Sequence, residues 1–140
     1  MRDRTPVQSL AALIAVVFLA VGVLGFIPGI TTHYGDLAFA GDGSTAKLLG
    51  IFQVSVLHNI VHVLYGLAGL ALARTWSGAR TFLIGGGAVY LVLWLLGIVG
   101  GGDWIPVNTA DDWLHFVLGT GMIVIGFVTT RSGEATPAPA

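Results

Sequence analysis

The chain contains no cysteine and very little charge. Disulfide bonds, thiolate metal sites and thiol catalysis are therefore excluded by composition. Charged residues make up only 9% of the 140 residues, 55% are apolar, and the mean hydropathy is +0.88. These values lie well outside the range of soluble domains. With 6 basic and 7 acidic residues there is no basic surface for nucleic acid, and we expect no such partner. The composition indicates a protein of the lipid bilayer.

Four apolar stretches are long enough to cross a membrane as helices. A hydrocarbon core about 30 Å thick needs roughly 20 helical residues. The stretches are 7–27, 48–73, 81–100 and 113–130. They predict an all-α fold, an integral membrane four-helix bundle that forms one domain over 1–130. The Pro- and Ala-rich remainder, 131–140, is predicted to be a disordered cytoplasmic tail.

The distribution of basic residues predicts how the bundle is oriented. Short cytoplasmic loops are enriched in Lys and Arg. Five of the six basic residues fall on one predicted side, namely Arg2, Arg4, Arg74, Arg80 and Arg131, and only Lys47 falls on the other. We therefore predict a multi-pass protein of the cell membrane with both termini in the cytoplasm. The segment 29–47 would then be external and is the natural surface for a partner there.

The sequence also suggests a weak internal duplication. V-L-G-F-I-P-G at the end of the first span resembles L-L-G-I-V-G-G at the end of the third. Two registers align the second span with the fourth: one pairs His58 with His115, and the other, one turn away, pairs His62 with His115. Two pseudo-repeated helical hairpins would follow from either register.

Polar and small residues share one face of the second and fourth spans. At about 100° per residue they fall within a single arc, which predicts the inward face of each helix. Glycines on these arcs allow backbones to approach closely within a membrane. The packing glycines are Gly66 and Gly69 in the second span and Gly119 and Gly126 in the fourth.

The polar members of these faces form the candidate site. They are His58, Asn59 and His62 from the second span and Asp111, Asp112 and His115 from the fourth, with Tyr65, Tyr90 or Trp94 as candidate lids. His58 and His115 each lie 16 residues before an arginine, which places both in the outer half of the bilayer. A polar side chain at such depth is expected to turn inward to a partner.

Several chemistries fit this cluster. The groups can hydrogen-bond across helices and fix the register of the bundle, at about 0.6 to 2 kcal/mol for each contact. Alternatively, His58 and His62 are spaced i and i+4, a geometry for two metal ligands that His115 and an aspartate could complete. A haem between facing histidines is a third reading, although the many glycines leave little room for a macrocycle. A pH-sensitive or proton-relay role is a fourth.

Catalytic motifs are absent from the sequence. There is no G-x-S-x-G, no P-loop and no H-E-x-x-H. The stretch H-N-I-V-H has zinc-protease spacing, but Asn59 stands where the general base would be. We therefore expect a protein that is not an enzyme.

Three stretches together resemble a known family. They are H-N-I-V-H-V-L-Y-G-L-A-G-L-A-L-A-R, G-G-G-A-V-Y-L-V-L-W-L-L-G and P-V-N-T-A-D-D-W-L-H-F-V-L-G. They are similar to small bacterial membrane proteins, frequent in actinobacteria, catalogued as domain of unknown function 4383. The resemblance covers nearly all of the chain except the tail. It implies a four-span integral membrane protein and brings no activity, cofactor or catalytic residue.

Two hypotheses of function follow. In the first, the chain is a non-enzymatic structural or accessory subunit that binds a membrane-protein partner, a lipid or further copies of itself, and it has no cofactor. In the second, it binds a metal ion or haem through His58, His62 and His115. Metal analysis and an absorption spectrum of the purified protein would distinguish them.

Overall fold

The computed structural model describes residues 4–41, 43–100 and 108–129. Four α-helices carry this part of the chain, which confirms the predicted all-α class. They are α1 (Pro6–Leu24), α2 (Val56–Leu72), α3 (Trp76–Ile98) and α4 (Thr109–Val128). Helices α1, α3 and α4 are long and apolar enough to cross a membrane, whereas α2 is a shorter apolar helix of 17 residues. The predicted tail, 131–140, lies outside the described residues, as do Arg2 and Arg131.

The second helix begins later than the sequence predicted. The apolar run from residue 48 was assigned to the second span, but α2 begins at Val56 after the N-cap Ser55. The preceding residues form a small antiparallel sheet in the order β1 (Thr31–Thr32), β2 (Lys47–Leu48), β3 (Phe52–Gln53). Leu49 and Gly50 adopt φ values of 53° and 73° and turn the chain back between β2 and β3. Hydropathy identifies an apolar run, but it does not reveal a turn inside it.

This sheet belongs to a cap over one end of the bundle. We define the cap as residues 30–41 and 43–55. Ala46, Leu48 and Val54 are buried in the cap, and Val21 and Leu24 of α1 pack against them. The cap therefore has its own small apolar core, seated on the end of α1.

The other end of the bundle carries arginines. Gln8 Nε2 of α1 donates to the carbonyl oxygens of Ala73 (3.2 Å) and Arg74 (2.9 Å). The start of α1 therefore lies beside the short turn that joins α2 to α3, and Arg4 and Arg80 lie at this same end. We call it the arginine end and the opposite one the cap end. Among the arginines that the sequence predicted on one side, those that the structure describes, Arg4, Arg74 and Arg80, all lie at this end.

The helices associate as two hairpins with repeated contacts. The α1–α2 and α3–α4 pairs pack most extensively. A Cβ atom on Gly66 would lie 2.7 Å from the Ala15 carbonyl oxygen, and one on Gly119 would lie 2.9 Å from the Gly87 carbonyl oxygen. Ala15 and Gly87 are 72 positions apart, and Gly66 and Gly119 are 53 apart. Equivalent residues therefore make the same close approach in both hairpins.

The same two shifts relate a second pair of contacts at the cap end. Gly25 lies against the amide of Asn59, and Gly97, 72 positions later, lies against the carboxylate of Asp112, 53 positions after Asn59. In both places only a residue without a side chain leaves room for the polar group.

A third pair of contacts repeats at the arginine end. Gln8 Nε2 donates to the carbonyl oxygen of Ala73, and Arg80 Nε donates to that of Gly126 at 2.8 Å. Gln8 and Arg80 are again 72 positions apart, and Ala73 and Gly126 are 53 apart. The hairpins thus repeat each other from one end to the other. Both run from the arginine end to the cap end and back, so an approximate two-fold axis runs along the bundle.

This repetition decides between the two registers that the sequence allowed. The shift of 53 pairs His62 with His115, whereas pairing His58 with His115 needs a shift of 57. The contacts follow the first alignment. The register that pairs His58 with His115 is therefore wrong.

Candidate functional site

Three polar residues of α2 lie in its first two turns. Ser55 Oγ accepts a hydrogen bond from the His58 backbone nitrogen at 3.1 Å and begins the helix there. His58, Asn59 and His62 follow at the spacing that places side chains on one face. Asn59 is fully buried and His62 is only 8% exposed, so this face points into the bundle.

His62 lies among aromatic rings from three helices. It meets Phe18 of α1 edge-on at 5.7 Å and Tyr90 of α3 at 6.5 Å, both between ring centroids. The ring of His58 is 4.3 Å from that of His62. The inward orientation that the sequence predicted for His62 is what the structure has.

His115 reaches the same region from α4. It is buried and meets Tyr90 edge-on at 5.1 Å. Tyr90 therefore contacts a histidine from each hairpin. His62 and His115 thus meet at one tyrosine, and His58 lies beside His62.

The other two candidate lids differ in position. Tyr65 packs between Phe18 (5.0 Å) and Tyr90 (5.6 Å), next to the histidines. Trp94 instead packs against Phe116 at 4.9 Å. Tyr65 and Tyr90 therefore line the interior site, and Trp94 belongs to the α3–α4 pair.

Asn59 and Asp112 lie between the helices of their own hairpins. The Asn59 amide fills the space left by Gly25, and Asp112 fills that left by Gly97. Neither Asn59 Oδ1 nor Asn59 Nδ2 has a hydrogen-bond partner in the described residues, and neither does Asp112 Oδ1. Asn59 and Asp112 are equivalent in the repeat, and they flank the histidines on opposite sides.

The carboxylate of Asp111 binds backbone nitrogens and not the histidines. Its carboxylate oxygen Oδ2 accepts from the backbone nitrogens of Gln53 and Asn108, both at 3.0 Å. In return, Asn108 Oδ1 accepts a hydrogen bond from the Asp111 backbone nitrogen and so caps α4. Asn108 Nδ2 also donates to the Ile51 carbonyl oxygen at 2.7 Å. Asp111 therefore ties β3 of the cap to the start of α4.

The four predicted packing glycines all lie at tight contacts. Beyond the approaches of Gly66 and Gly119, a Cβ atom on Gly69 would lie 2.5 Å from the Phe82 ring, and one on Gly126 would lie 2.6 Å from Ile84 Cγ1. These glycines hold the helices close on the arginine side of the histidines.

Several interior polar atoms are buried without a well-formed hydrogen bond in the described residues, although the Asn59 side chain interacts with that of His58. In the described part of the chain, the buried unpartnered atoms of the bundle interior are Nδ1 of His58, His62 and His115, both amide atoms of Asn59, and the Tyr65 hydroxyl. A buried polar group without a partner costs about 1–3 kcal/mol. Within the described residues, Nδ1 of the three histidines and the Asn59 amide make no hydrogen bond between helices.

A ready metal site is not formed. Within residues 4–41, 43–100 and 108–129, no three His, Asp or Glu side chains are placed to hold a metal ion. The rings of His58 and His62 are 4.3 Å apart, but no third His, Asp or Glu side chain of these ranges is placed to join them. The nitrogen donors are nevertheless of the type that Zn, Cu, Fe and Ni prefer.

Sequence reasoning missed one residue at the centre of this site. Phe18 contacts His62, Tyr65 and Tyr90. It shares the small-residue face of α1, so its inward direction was visible in the spacing. Its place beside the histidines required the hairpin packing.

Comparison with known proteins places the chain in a family. Residues 8–128 match the family described as Domain of unknown function (DUF4383). The chain belongs to this family. No curated protein and no solved structure matches it. The DUF4383 region includes the cap, every residue of the site, helices α2, α3 and α4, and all but the first two residues of α1, so the geometry above lies within the family's domain.

Proposed function

We propose that this chain is a non-enzymatic, multi-pass protein of the cell membrane that binds a transition-metal ion between its two hairpins. Three apolar helices long enough to span a bilayer support the membrane assignment. The position of the carboxylates supports binding over catalysis, because Asp111 is occupied by backbone nitrogens of the cap. Asp111 is thereby not available as a base for His115, and Asp112 lies between α3 and α4 against Gly97.

The observation that carries the proposal is the set of buried, unpartnered imidazoles. Nδ1 of His58, His62 and His115 makes no hydrogen bond in the described residues. His62 lies against Phe18 and Tyr90, His115 lies against Tyr90, and His58 lies against His62. Lone pairs of neutral imidazole are metal ligands. An ion held by them would compensate for the cost of burying three polar rings. His58, His62 and His115 would be the residues that hold the ion.

Haem is disfavoured as the ligand. Backbones approach within van der Waals distance where Gly66 meets Ala15 and where Gly119 meets Gly87, one turn from the histidines. A macrocycle would have to separate both hairpins at these contacts. A single ion needs only side-chain movement.

Metal analysis of the full chain tests the proposal. We expect about one Zn, Cu, Fe or Ni ion per chain after purification in mild detergent or after loading with Zn²⁺ or Cu⁺. The combined variant His58→Gln, His62→Gln, His115→Gln should retain less than a tenth of it. His33, exposed in the cap, provides the matched control, and His33→Gln should bind normally.

A second measurement, the effect of Zn²⁺ on the Tm, tests the proposal if the triple histidine variant folds poorly. Zn²⁺ should raise the Tm of the wild-type chain and of His33→Gln, because an ion that binds only the folded state stabilises it. It should not raise the Tm of single histidine variants by the same amount. A wild-type chain that takes up no metal and gains no stability would overturn the proposal, and a Soret band would assign haem instead.

A second candidate function is that of an accessory subunit that binds a protein through the cap. Phe39 and Leu49 of the cap are 68% and 62% exposed, and neither is buried in the apolar core of the cap. A photo-crosslinking residue at Leu49 should yield one discrete product in native membranes, and the same residue at exposed Thr45 should not. A product at twice the chain mass would indicate a homo-oligomer. Crosslinks to lipid alone would contradict this candidate.

A further inference from the structure

A groove runs along α3 at the arginine end. It has a volume of about 410 Å³ and is lined by Trp76, Ser77, Arg80, Thr81, Ile84 and Gly85. From residue 77 to residue 85 it extends about 12 Å along the helix, at 1.5 Å per residue. Gly85 leaves it open, because a Cβ atom there would meet nothing within 4 Å. In a bilayer this groove faces lipid.

Arg80 is held in place beside this groove. Its Nε donates to the Gly126 carbonyl oxygen at 2.8 Å, and its Cζ lies 4.9 Å from the centre of the Trp76 ring. The two contacts fix the plane of the guanidinium group. In the part of the chain that the structure describes, the outer nitrogens of Arg80 make no hydrogen bond.

The arginine end contains no carboxylate within the described ranges. The acidic residues described are Asp36 in the cap and Asp111 and Asp112 in the first turn of α4, all at the cap end. Arg4 and Arg74 add positive charge at the same end of the bundle. The oriented guanidinium therefore has donors available and an electrostatic environment that favours an anion.

We propose that this groove binds an anionic phospholipid of the adjacent leaflet. The phosphate lies on Arg80, within reach of the Ser77 and Thr81 hydroxyls, and an acyl chain follows Ile84 and Gly85 toward the bilayer centre. Arg presents a planar fork that matches phosphate. Basic pockets at the membrane surface recognise lipid head groups in this way, and Trp is typical of the same depth. The site is independent of the histidines and of the proposed metal.

Native mass spectrometry of the full chain with phosphatidylglycerol or phosphatidylcholine of the same acyl chains tests the head-group contact. We expect phosphatidylglycerol to bind preferentially and Arg80→Gln to weaken it by about ten-fold or more, as for a charge-assisted hydrogen bond. Arg74→Gln removes the same charge at the same end. Arg74→Gln should weaken phosphatidylglycerol binding by no more than about five-fold, which is the effect of one basic residue near the membrane surface. Equal losses in both variants would overturn the assignment to Arg80.

A second pair of variants tests the groove. Gly85→Leu fills it without touching the core and should weaken binding of both lipids. Gly121→Leu places the same side chain at an equally open glycine of α4 and should not. This pair decides the matter if Arg80→Gln fails to fold. Lipid binding that survives Gly85→Leu, or that excess inorganic phosphate abolishes, would overturn the proposal.

Discussion

Phe18 and Tyr90 stack against each other at the centre of the bundle, with ring centroids 5.2 Å apart and ring planes 30° apart. They are 72 positions apart, so each is the other's equivalent in the repeat. The edge of His62 meets Phe18 as the edge of His115 meets Tyr90. The approximate two-fold axis therefore passes between these rings, and the candidate site lies on it. A ligand there would contact both hairpins, and its binding would stabilise their pairing.

The close approach at the hairpin seams predicts the effect of adding a methyl group. Gly66→Ala and Gly119→Ala each place a Cβ atom less than 3 Å from a backbone oxygen, which must move. Overpacking of this kind costs about 1–3 kcal/mol. We expect each variant to lower the Tm in detergent by several degrees.

Gly121→Ala is the matched control for these variants. All three changes gain helix propensity, about 1 kcal/mol, but a Cβ atom on Gly121 meets nothing within 4 Å. Gly121→Ala should therefore leave the Tm unchanged or raise it. Equal behaviour of the three variants would contradict the packing of the seams.

The contact between Asp111 and the cap predicts local loosening upon its removal. Asp111→Ala leaves the Gln53 and Asn108 backbone nitrogens without their carboxylate acceptor. A buried donor left unpaired costs about 1–3 kcal/mol. Hydrogen exchange at Gln53 should accelerate by at least about ten-fold, since 1.4 kcal/mol is a factor of ten. Asp36→Ala, at an exposed cap position, should change neither exchange nor Tm; unchanged protection in Asp111→Ala would show that the cap is held in other ways.

Much of the helical architecture could be predicted from the sequence, because hydrocarbon permits few solutions for a backbone. Hydropathy located all four helices, and the faces of α2 and α4 were visible in the spacing of their polar and small residues. The start of α2 was not predictable from hydropathy. Leu48 and Val54 are buried in the core of the cap, and the turn between them depends on the backbone at Leu49 and Gly50.

The sequence could predict which polar residues face inward, but not which of them contact one another. Helical faces placed His58, His62 and His115 toward the interior, where they meet. Asp111 and His115 share a face of α4, yet the carboxylate reaches outward to a strand whose existence the sequence did not reveal. The place of Asn59 and Asp112 between their own helices depends on Gly25 and Gly97, and therefore on the pairing of helices.

The buried hydroxyl of Tyr65 predicts an unusual response to its loss. It packs against Gly86 and has no hydrogen-bond partner in the described residues. Removing a polar atom that is buried without a partner relieves a cost. Tyr65→Phe should therefore keep or raise the Tm of the metal-free protein, with Tyr34→Phe in the cap as a control. A decrease of more than about 1 kcal/mol, beyond the range of neutral substitutions, would mean that the hydroxyl has a partner such as a bound ion or water.

The predicted orientation can be measured with single cysteines, because the chain has none of its own. Thr45 is exposed in the cap, and Ser77 is exposed at the arginine end. Positively charged loops remain in the cytoplasm, so Thr45→Cys should react with a membrane-impermeant maleimide in intact cells. Ser77→Cys should react only after permeabilisation, with a cytoplasmic marker protein reporting leakage. The reverse pattern would place the termini outside. It would also place the proposed lipid groove in the outer leaflet. The result therefore decides both the orientation of the chain and the leaflet that supplies the lipid.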